Sequence, residues 1–312
     1  MLTVMYACND AYVRQTLVSM ASVAEHHTQA VFYLIHEGIS VENQQFIAQF
    51  MNNYGQTLYF IEIERVLPEL DLNDQDRHPR TIYAKLFMDS VIQEDRVLYL
   101  DSDIVVEDSL EPLFERDMAG ELVAGVLMPY SSKVKERIGV LQGQPYICDG
   151  VVLFNLELWR RENKSKECRE YILAHEGAPP MLSEGVLNYV CSKRIGVLDP
   201  KYNLMPSMLM YNLQQIRQLF RADCYYQEEV MIHEACQKPA VVHFMNELFN
   251  RPWLEPCDHP YKDLYRRTEK RAFGENKISQ EPLKINTRRT VFLKKYLPFP
   301  IFSILYQIKN RN

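Results

Sequence analysis

Short apolar runs alternate with helix-patterned segments through the first hundred residues, and this alternation restricts the fold more than any other feature of the chain. Residues 2–7, 31–35 and 58–63 read as strands with little polar character to offer solvent. Between them Val13, Leu17, Met20, Ala21 and Ala24 recur at helical spacing. Ser40 stands where it can cap a second helix that carries Phe46, Ile47 and Phe50. A loop over 68–79, rich in Asp and Asn, leads to an expected helix around 82–91 and then to a strand over 96–100. Strands joined by helices of this length build a mostly parallel sheet covered on both faces, so the fold class is α/β.

The later chain is more mixed. Residues 122–126, 150–155, 195–198 and 240–243 read as strands, and 129–146 as a loop holding a short helix. Helices are expected over 162–174 and 183–191, the latter with Ser183 as its N-cap. One domain over residues 1–260 fits, followed by an extension over 261–312. The 312 residues can fill a large core, and 11 Gly and 16 Pro exclude a collagen-like or low-complexity chain. No apolar run reaches the length of a membrane span, and the opening MLTVMYACND lacks the basic start of a signal peptide. Seven Cys without a CxxC spacing argue for a reducing compartment, so a cytoplasmic location is expected. Cys8, Cys148 and Cys191 lie in or beside apolar segments and read as buried, inert thiols.

Charge is divided unevenly. From Tyr261 onward 13 Lys and Arg face 4 Asp and Glu, whereas the first 260 residues carry 22 basic and 37 acidic side chains. An acidic body is a poor partner for nucleic acid. The basic end suits an anionic surface or an acidic partner, unless it is only a solvated tail.

Two carboxylates, Asp101 and Asp103, follow the apolar run Val97-Leu98-Tyr99-Leu100 with one residue between them. Ligands of α/β sheets bind at the carboxyl ends of strands, and two acids at this spacing on a turn can share a divalent cation. Hard oxygen ligands suit Mn or Mg, especially with phosphate oxygens completing the shell. His243, at the end of the apolar run 240–242, is a candidate third ligand; its alternative role is a buried histidine bonded to backbone. No cysteine stands at zinc spacing from it, and no glycine-rich phosphate cradle marks an ATP or nicotinamide site.

The chain resembles glycosyltransferase family 8, retaining nucleotide-sugar transferases that include bacterial lipopolysaccharide galactosyl- and glucosyltransferases. The residues that carry the likeness are Asn9-Asp10-Ala11-Tyr12, Tyr83-Ala84-Lys85-Leu86 and the block from Val97 through Asp101-Ser102-Asp103 to Val106. They continue with Gly150 to Leu156, Asn203-Leu204-Met205-Pro206, and His243 with Arg251-Pro252-Trp253. The resemblance implies a GT-A fold, a Rossmann-like central sheet flanked by helices, with Mn-dependent binding of a UDP-sugar and retention at the anomeric carbon. It places Asp101, Asp103 and His243 on the metal, and Ala7, Asn9, Asp10, Tyr12 and Ser102 around the nucleotide. It also puts Lys85 near the diphosphate and sugar, and Arg251 against the leaving diphosphate, where a cation offsets developing charge. Glucose or galactose is the implied donor sugar, and a glycan or glycolipid hydroxyl the acceptor.

Several positions depart from the family pattern. Cys148-Asp149 stands where Asn-Ala or Asn-Ser is usual, Ser183-Glu184-Gly185 where Asp-Gln-Asp is usual, and His78 is displaced by one position. The segment from His243 to Trp253 is longer than in the lipopolysaccharide enzymes. Asp149 is read as a sugar-hydroxyl contact in preference to a structural turn, and Glu184 as an electrostatic group, an acceptor contact or a structural cap; on a less favoured route Glu184 or Asp149 is a nucleophile. Front-face attack, in which the leaving phosphate accepts the proton, is the preferred route. A UDP-sugar hydrolase and a non-catalytic nucleotide-binding scaffold are the competing functions. In the extension, the apolar and aromatic run after Lys295 is too short and proline-broken to span a bilayer. It is expected either to lie at an anionic membrane interface on the inner face of the cell membrane, or to dock Phe299, Phe302 and Leu305 on protein. Oligomeric state is left open.

Overall fold

The computed structural model describes residues 1–67, 72, 79–246, 248–274, 281–282 and 296–309. His78, most of the 68–79 loop and the basic residues Arg288, Arg289, Lys294 and Lys295 lie outside the described residues.

A seven-stranded sheet in the order β3-β2-β1-β4-β7-β6-β8 forms the core. Its strands are β1 (Leu2–Asn9), β2 (Ala30–Glu37), β3 (Thr57–Glu62), β4 (Arg96–Leu100), β6 (Val123–Leu127), β7 (Ile147–Asn155) and β8 (Ile195–Val197). β1 pairs in parallel with β2 and β4, β2 pairs in parallel with β3, and β6 with β8. Only β7 runs against its neighbours, pairing antiparallel with β4 and β6. The expected mostly parallel sheet is therefore present, with one reversed strand in its interior beside β4. Continuous apolar sequence explains the placement, since β4 and β6 bury almost every residue, whereas the edge strand β3 alternates.

The first helix, α1 (Val13–His26), buries most of its length because it lies between the sheet and α11 (Lys262–Phe273). Its hydroxyls are used as ties. Tyr6 and Ser19 share a 3.0 Å hydrogen bond, and Ser22 Oγ accepts from Val106 N at 2.9 Å. α11 is held to α1 by Arg14, which donates to Glu269 at 2.7 Å and lies 4.2 Å over the Phe273 ring. As expected, Ser40 caps α2 (Val41–Asn53), accepting from Asn43 N.

Two local expectations are corrected, and a third holds. The segment over 82–91 is not an α-helix but two 3-10 turns, Arg80–Leu86 and Met88–Ser90. Thr81, Tyr83, Ala84, Lys85 and Leu86 are all buried, so the segment packs around its whole circumference and has no amphipathic stripe to favour an α-helix. The helix expected over 162–174 is present as α6 (Lys164–Ala174), and a left-handed Asn163 separates it from a short preceding helix, α5 (Leu156–Arg161). Ser183 is not the N-cap of α7 (Leu182–Cys191); it lies inside the first turn, after a left-handed Met181. Its hydroxyl donates to Asp149 instead.

A second, two-stranded ribbon pairs β5 (Ile104–Val106) antiparallel with β9 (Val241–His243). Between β6 and β7, α4 (Ser132–Ile138) presents Lys135, which is fully buried and donates to Asp223 at 2.6 Å and to the Gln144 carbonyl at 2.9 Å. This pair fastens the connection that leads into β7. Removing one partner of a buried ion pair strands the other. Asp223→Ala is expected to lower unfolding free energy by about 3–5 kcal/mol, measured by urea denaturation, whereas Lys193→Ala on the surface should change it little.

Candidate active site

The order of the sheet reverses at β1 and β4, and their carboxyl ends open the crevice where α/β folds bind ligands. Asn9 closes β1, and Asp101 follows β4 directly. Ala7 lies two residues inside β1, paired with Ile35. The β5–β9 register sets Ile104 opposite His243, and Phe244 N donates to the Asp103 carbonyl at 2.8 Å. That register carries a histidine 140 residues away in sequence onto the Asp pair.

Asp101, Asp103 and His243 offer ligand atoms that all lie within 4.8 Å of one another. His243 Nε2 is 3.0 Å from Asp103 Oδ1 and 3.8 Å from Asp101 Oδ2. Its other nitrogen, Nδ1, donates to Asn203 Oδ1 at 2.9 Å, which fixes the ring and leaves Nε2 facing the acids. Asp101 Oδ1 accepts from Tyr99 Oη at 2.7 Å. Gly150 must be a glycine for the ring to fit, because a Cβ there would stand 2.4 Å from His243 Cε1 and 2.7 Å from Asp101 Oδ2. Two hard oxygens and an oriented imidazole fit a divalent cation.

Charge compensation shapes this centre. Burial alone would raise Asp103, but His243 and Arg251 overcome it and hold the carboxyl far below the usual range. Arg251 Nη2 donates to Asp103 Oδ2 at 2.8 Å, and Nη1 donates to Tyr12 Oη at 3.1 Å. Burial raises Asp101, with the Lys85 charge opposing it. Burial would lower His243, but the Asp103 carboxylate raises it and favours the imidazolium until a cation replaces the proton.

Lys85 is buried under the Tyr99 ring, 4.0 Å from its centroid, and donates to the Asp149 carbonyl at 3.0 Å and to Asp149 Oδ2 at 2.8 Å. Ser183 Oγ donates to the same carboxylate oxygen at 2.8 Å. Glu184 accepts from Tyr146 Oη at 3.1 Å. Burial and the neighbouring Asp149 carboxylate push Glu184 up to about 8. Cys148, between these groups, is raised well above a reactive thiol by burial, and all seven cysteines are unpaired.

Other expected residues fall nearby with different partners. Asn9 Oδ1 is buried and has no hydrogen-bond partner among the described residues. Asp10 Oδ1 accepts from Asn43 Nδ2 at 2.8 Å and Ser40 N at 3.0 Å, bonds that hold it below the ordinary range and tie it to the start of α2. Ser102 Oγ lies 2.8 Å from Thr16 Oγ1, which itself donates to the Tyr12 carbonyl. Tyr99, Tyr146 and Asn203 were not expected as site residues. Asn203 lies in a noted sequence block, but nothing local to it indicates that it orients a histidine 40 residues later.

Comparison with known proteins places this geometry in a family. The family model "Glycosyl transferase family 8" matches residues 3–257. General stress protein A of Bacillus subtilis is 22% identical over 265 residues, covering 82% of this chain and 89% of that protein. Glycosyltransferase GlyD of Streptococcus pneumoniae is 24% identical over 273 residues; the chain spans 84% of its own length but 30% of GlyD. Among solved structures, the galactosyltransferase LgtC in complex with donor and acceptor sugar analogues superposes with a TM-score of 0.71 at 20% identity. That match covers 93% of this chain and 100% of LgtC and shows the shared GT-A fold. The chain belongs to glycosyl transferase family 8, and its fold and acid–histidine triad are those of a metal-dependent glycosyltransferase.

Proposed function

We propose that the chain is a retaining hexosyltransferase that moves glucose or galactose from a UDP-sugar to a glycan hydroxyl with Mn, or alternatively Mg, in bacterial cell-surface glycan synthesis. The observation that carries this reading is the convergence of Asp101, Asp103 and His243 at the sheet's reversal point, beside the orphaned acceptor of Asn9. A divalent ion held there supplies positive charge to a diphosphate leaving group. Asn9 Oδ1 offers an acceptor to a base N–H, and Tyr12, exposed and tethered to Arg251, offers a ring for stacking. Ala7, inside β1, and Asp10, in the turn that follows it, are assigned to the nucleotide side by their place at the end of that strand, and Ser102 ties the turn between the two acids to Thr16. Arg251 adds a second cation on the phosphate side.

Neither acid on the sugar side is a ready nucleophile. Asp149 is ion-paired with Lys85 and its Oδ2 also accepts from Ser183. Glu184 retains its proton below pH about 8. Both facts favour front-face attack with the leaving phosphate as proton acceptor over a covalent glycosyl-enzyme. Glu184 then serves as a neutral hydrogen-bonding group for the sugar or acceptor, and the Lys85–Asp149 pair contacts sugar hydroxyls.

The acceptor reading extends to a lipid-linked glycan at an anionic membrane surface. The last helix, α12 (Phe299–Lys309), turns Phe302 and Tyr306 onto Leu219 and Phe220 of α9 (Leu213–Phe220). The opposite face leaves Ile301, Ile304, Leu305 and Ile308 exposed by 50%, 58%, 44% and 54%. No helix among the described residues is long and apolar enough to cross a membrane. The exposed stripe, with the basic charge of the sequence around it, suits the headgroup boundary.

Three measurements test these proposals. Purified protein with Mn, a panel of UDP-sugars and glycan acceptors should form an α-linked product, read by the anomeric proton coupling, and Asp101→Asn should cut the rate at least about 100-fold. UDP-sugar hydrolysis without an acceptor product would support the hydrolase, and no turnover the scaffold. Glu184 has a folded pKa raised above its ordinary value, so its stabilising share is complete below pH about 4.5 and lost as pH rises through about 8. Glu184→Gln should therefore gain melting temperature relative to the parent as pH rises from 5 to roughly 8.5, with transfer at pH 7 within a few-fold. In co-sedimentation the full chain should bind anionic vesicles, and the double change Ile304→Asp, Ile308→Asp should abolish binding; equal binding by both removes the membrane role.

A further inference from the structure

Arg251 occupies the metal centre in a way the transfer reaction alone does not require. Both oxygens of Asp103 are already engaged, Oδ1 with His243 at 3.0 Å and Oδ2 with Arg251 at 2.8 Å. The guanidinium is fixed from several sides. Nη1 reaches Tyr12 Oη at 3.1 Å, Nε points to the Phe244 carbonyl at 3.4 Å, and Trp253 lies beneath it at 5.4 Å. Asp101 differs, since among the described residues Oδ2 has no partner closer than the 3.8 Å approach of His243 Nε2. A divalent cation entering alone meets a carboxylate whose charge is spent and a second cation beside it.

We propose that Arg251 is an internal competitor for Asp103 that makes metal binding depend on a diphosphate. With no phosphate present, the guanidinium neutralises Asp103 and repels an incoming dication. A nucleoside diphosphate brings negative charge that the guanidinium and the dication can share, so Arg251 releases Asp103 or shares it without net repulsion. The tether to Tyr12 extends this exchange to the first loop, where the nucleotide base is placed. Arg251 thus links the base side of the pocket, the diphosphate and the metal in one set of contacts. Arginine's planar fork presents separate nitrogens to Tyr12 and Asp103, an arrangement that a lysine's single nitrogen does not reproduce.

The inference rests on the assignment of Asp101, Asp103 and His243 as the metal triad, and its test separates the two. Binding of Mn(II) is measured by electron paramagnetic resonance or calorimetry, with and without UDP, on the parent and on Arg251→Gln and Arg251→Lys, each checked by thermal melting. In the parent, UDP should tighten Mn binding at least about tenfold. Arg251→Gln should bind Mn alone roughly five- to tenfold more tightly than the parent, and its UDP-dependent gain should shrink by a similar factor. Arg251→Lys should fall between them. Mn affinity in Arg251→Gln that is unchanged or weaker without UDP, in a variant that melts like the parent, overturns the competitor role while leaving the triad in place. No Mn binding by the parent even with UDP overturns the triad and this inference together.

Discussion

The pairing of Ile104 with His243 sets the distance on which the metal centre depends. The β5–β9 ribbon is only three residues long on each side, yet it fixes two groups that sequence separates by 140 residues. Its register is secured at both ends. Phe244 N binds the Asp103 carbonyl, and Glu107 N binds the Ala240 carbonyl. Leu204 docks against Val242 as a further bridge, which brings Asn203 to the back of the histidine ring. A slip of one residue would turn His243 to the other face of the ribbon and dissolve the triad. The reversed strand β7 contributes the other constraint, for its Gly150 carbonyl accepts from Asp101 N while its missing side chain makes room for the imidazole.

Around Lys85 the chain keeps several polar groups in a small volume, and their mutual compensation explains how this is tolerated. Burial opposes a charged Lys85, but Asp149 and Asp101 more than restore its charge. Asp149 Oδ2 accepts from both Lys85 and Ser183, and Glu184 avoids a third negative charge by holding a proton. Delivery of Ser183 and Glu184 requires a tight turn, with Met181 and Leu182 both in the left-handed region at φ 60° and 54°. Side chains of this size resist that conformation. A Cβ at Gly185 would come within 1.9 Å of the Pro180 carbonyl, so the turn closes only on a glycine. The departures Asp149, Ser183 and Glu184 from the family pattern are thus one hydrogen-bonded and electrostatic unit with Lys85, and a change at one alters the balance at the others.

How much of this could be read from the residues follows from what each feature depends on. The strands β1 to β4 and the helices α1 and α2 are legible because their signals are local, in apolar runs, helical spacing and a capping serine. The Asp pair is legible for the same reason, since it follows an apolar strand directly, and His243 stands out at the end of another. What was misread depends on tertiary surroundings. The 80–90 segment has helical composition, but burial of the consecutive residues 83–88 leaves no amphipathic stripe and selects 3-10 turns. Ser183 has the chemistry of an N-cap, but the Asp149 carboxylate competes successfully for its hydroxyl. Tyr99 and Tyr146 look like core aromatics and are so, except that each hydroxyl holds a carboxylate of the site. The basic side chain of Arg251 was legible, while its commitment to Asp103 and Tyr12 is visible only once the fold brings β1, β4 and the 244–253 loop together.

The C-terminal helix shows how docking and exposure can belong to one element rather than being alternatives. Phe302 and Ser303 are buried, Gln307 Nε2 donates to the Gln218 carbonyl at 2.7 Å, and Arg221 donates back to Gln307 Oε1 at 2.8 Å. These contacts fix the helix in rotation. Phe299 and Phe302 face Tyr211, whereas Leu305, once grouped with them as a docking residue by hydrophobicity, lies on the opposite, exposed stripe. The division follows the 3.6-residue period: residues 302 and 306 share one face, and 301, 304, 305 and 308 share the other. A stripe held in orientation by its own docked face loses little conformational freedom when it meets another surface, so its apolar area is available to binding with a smaller entropic cost than a free tail would carry.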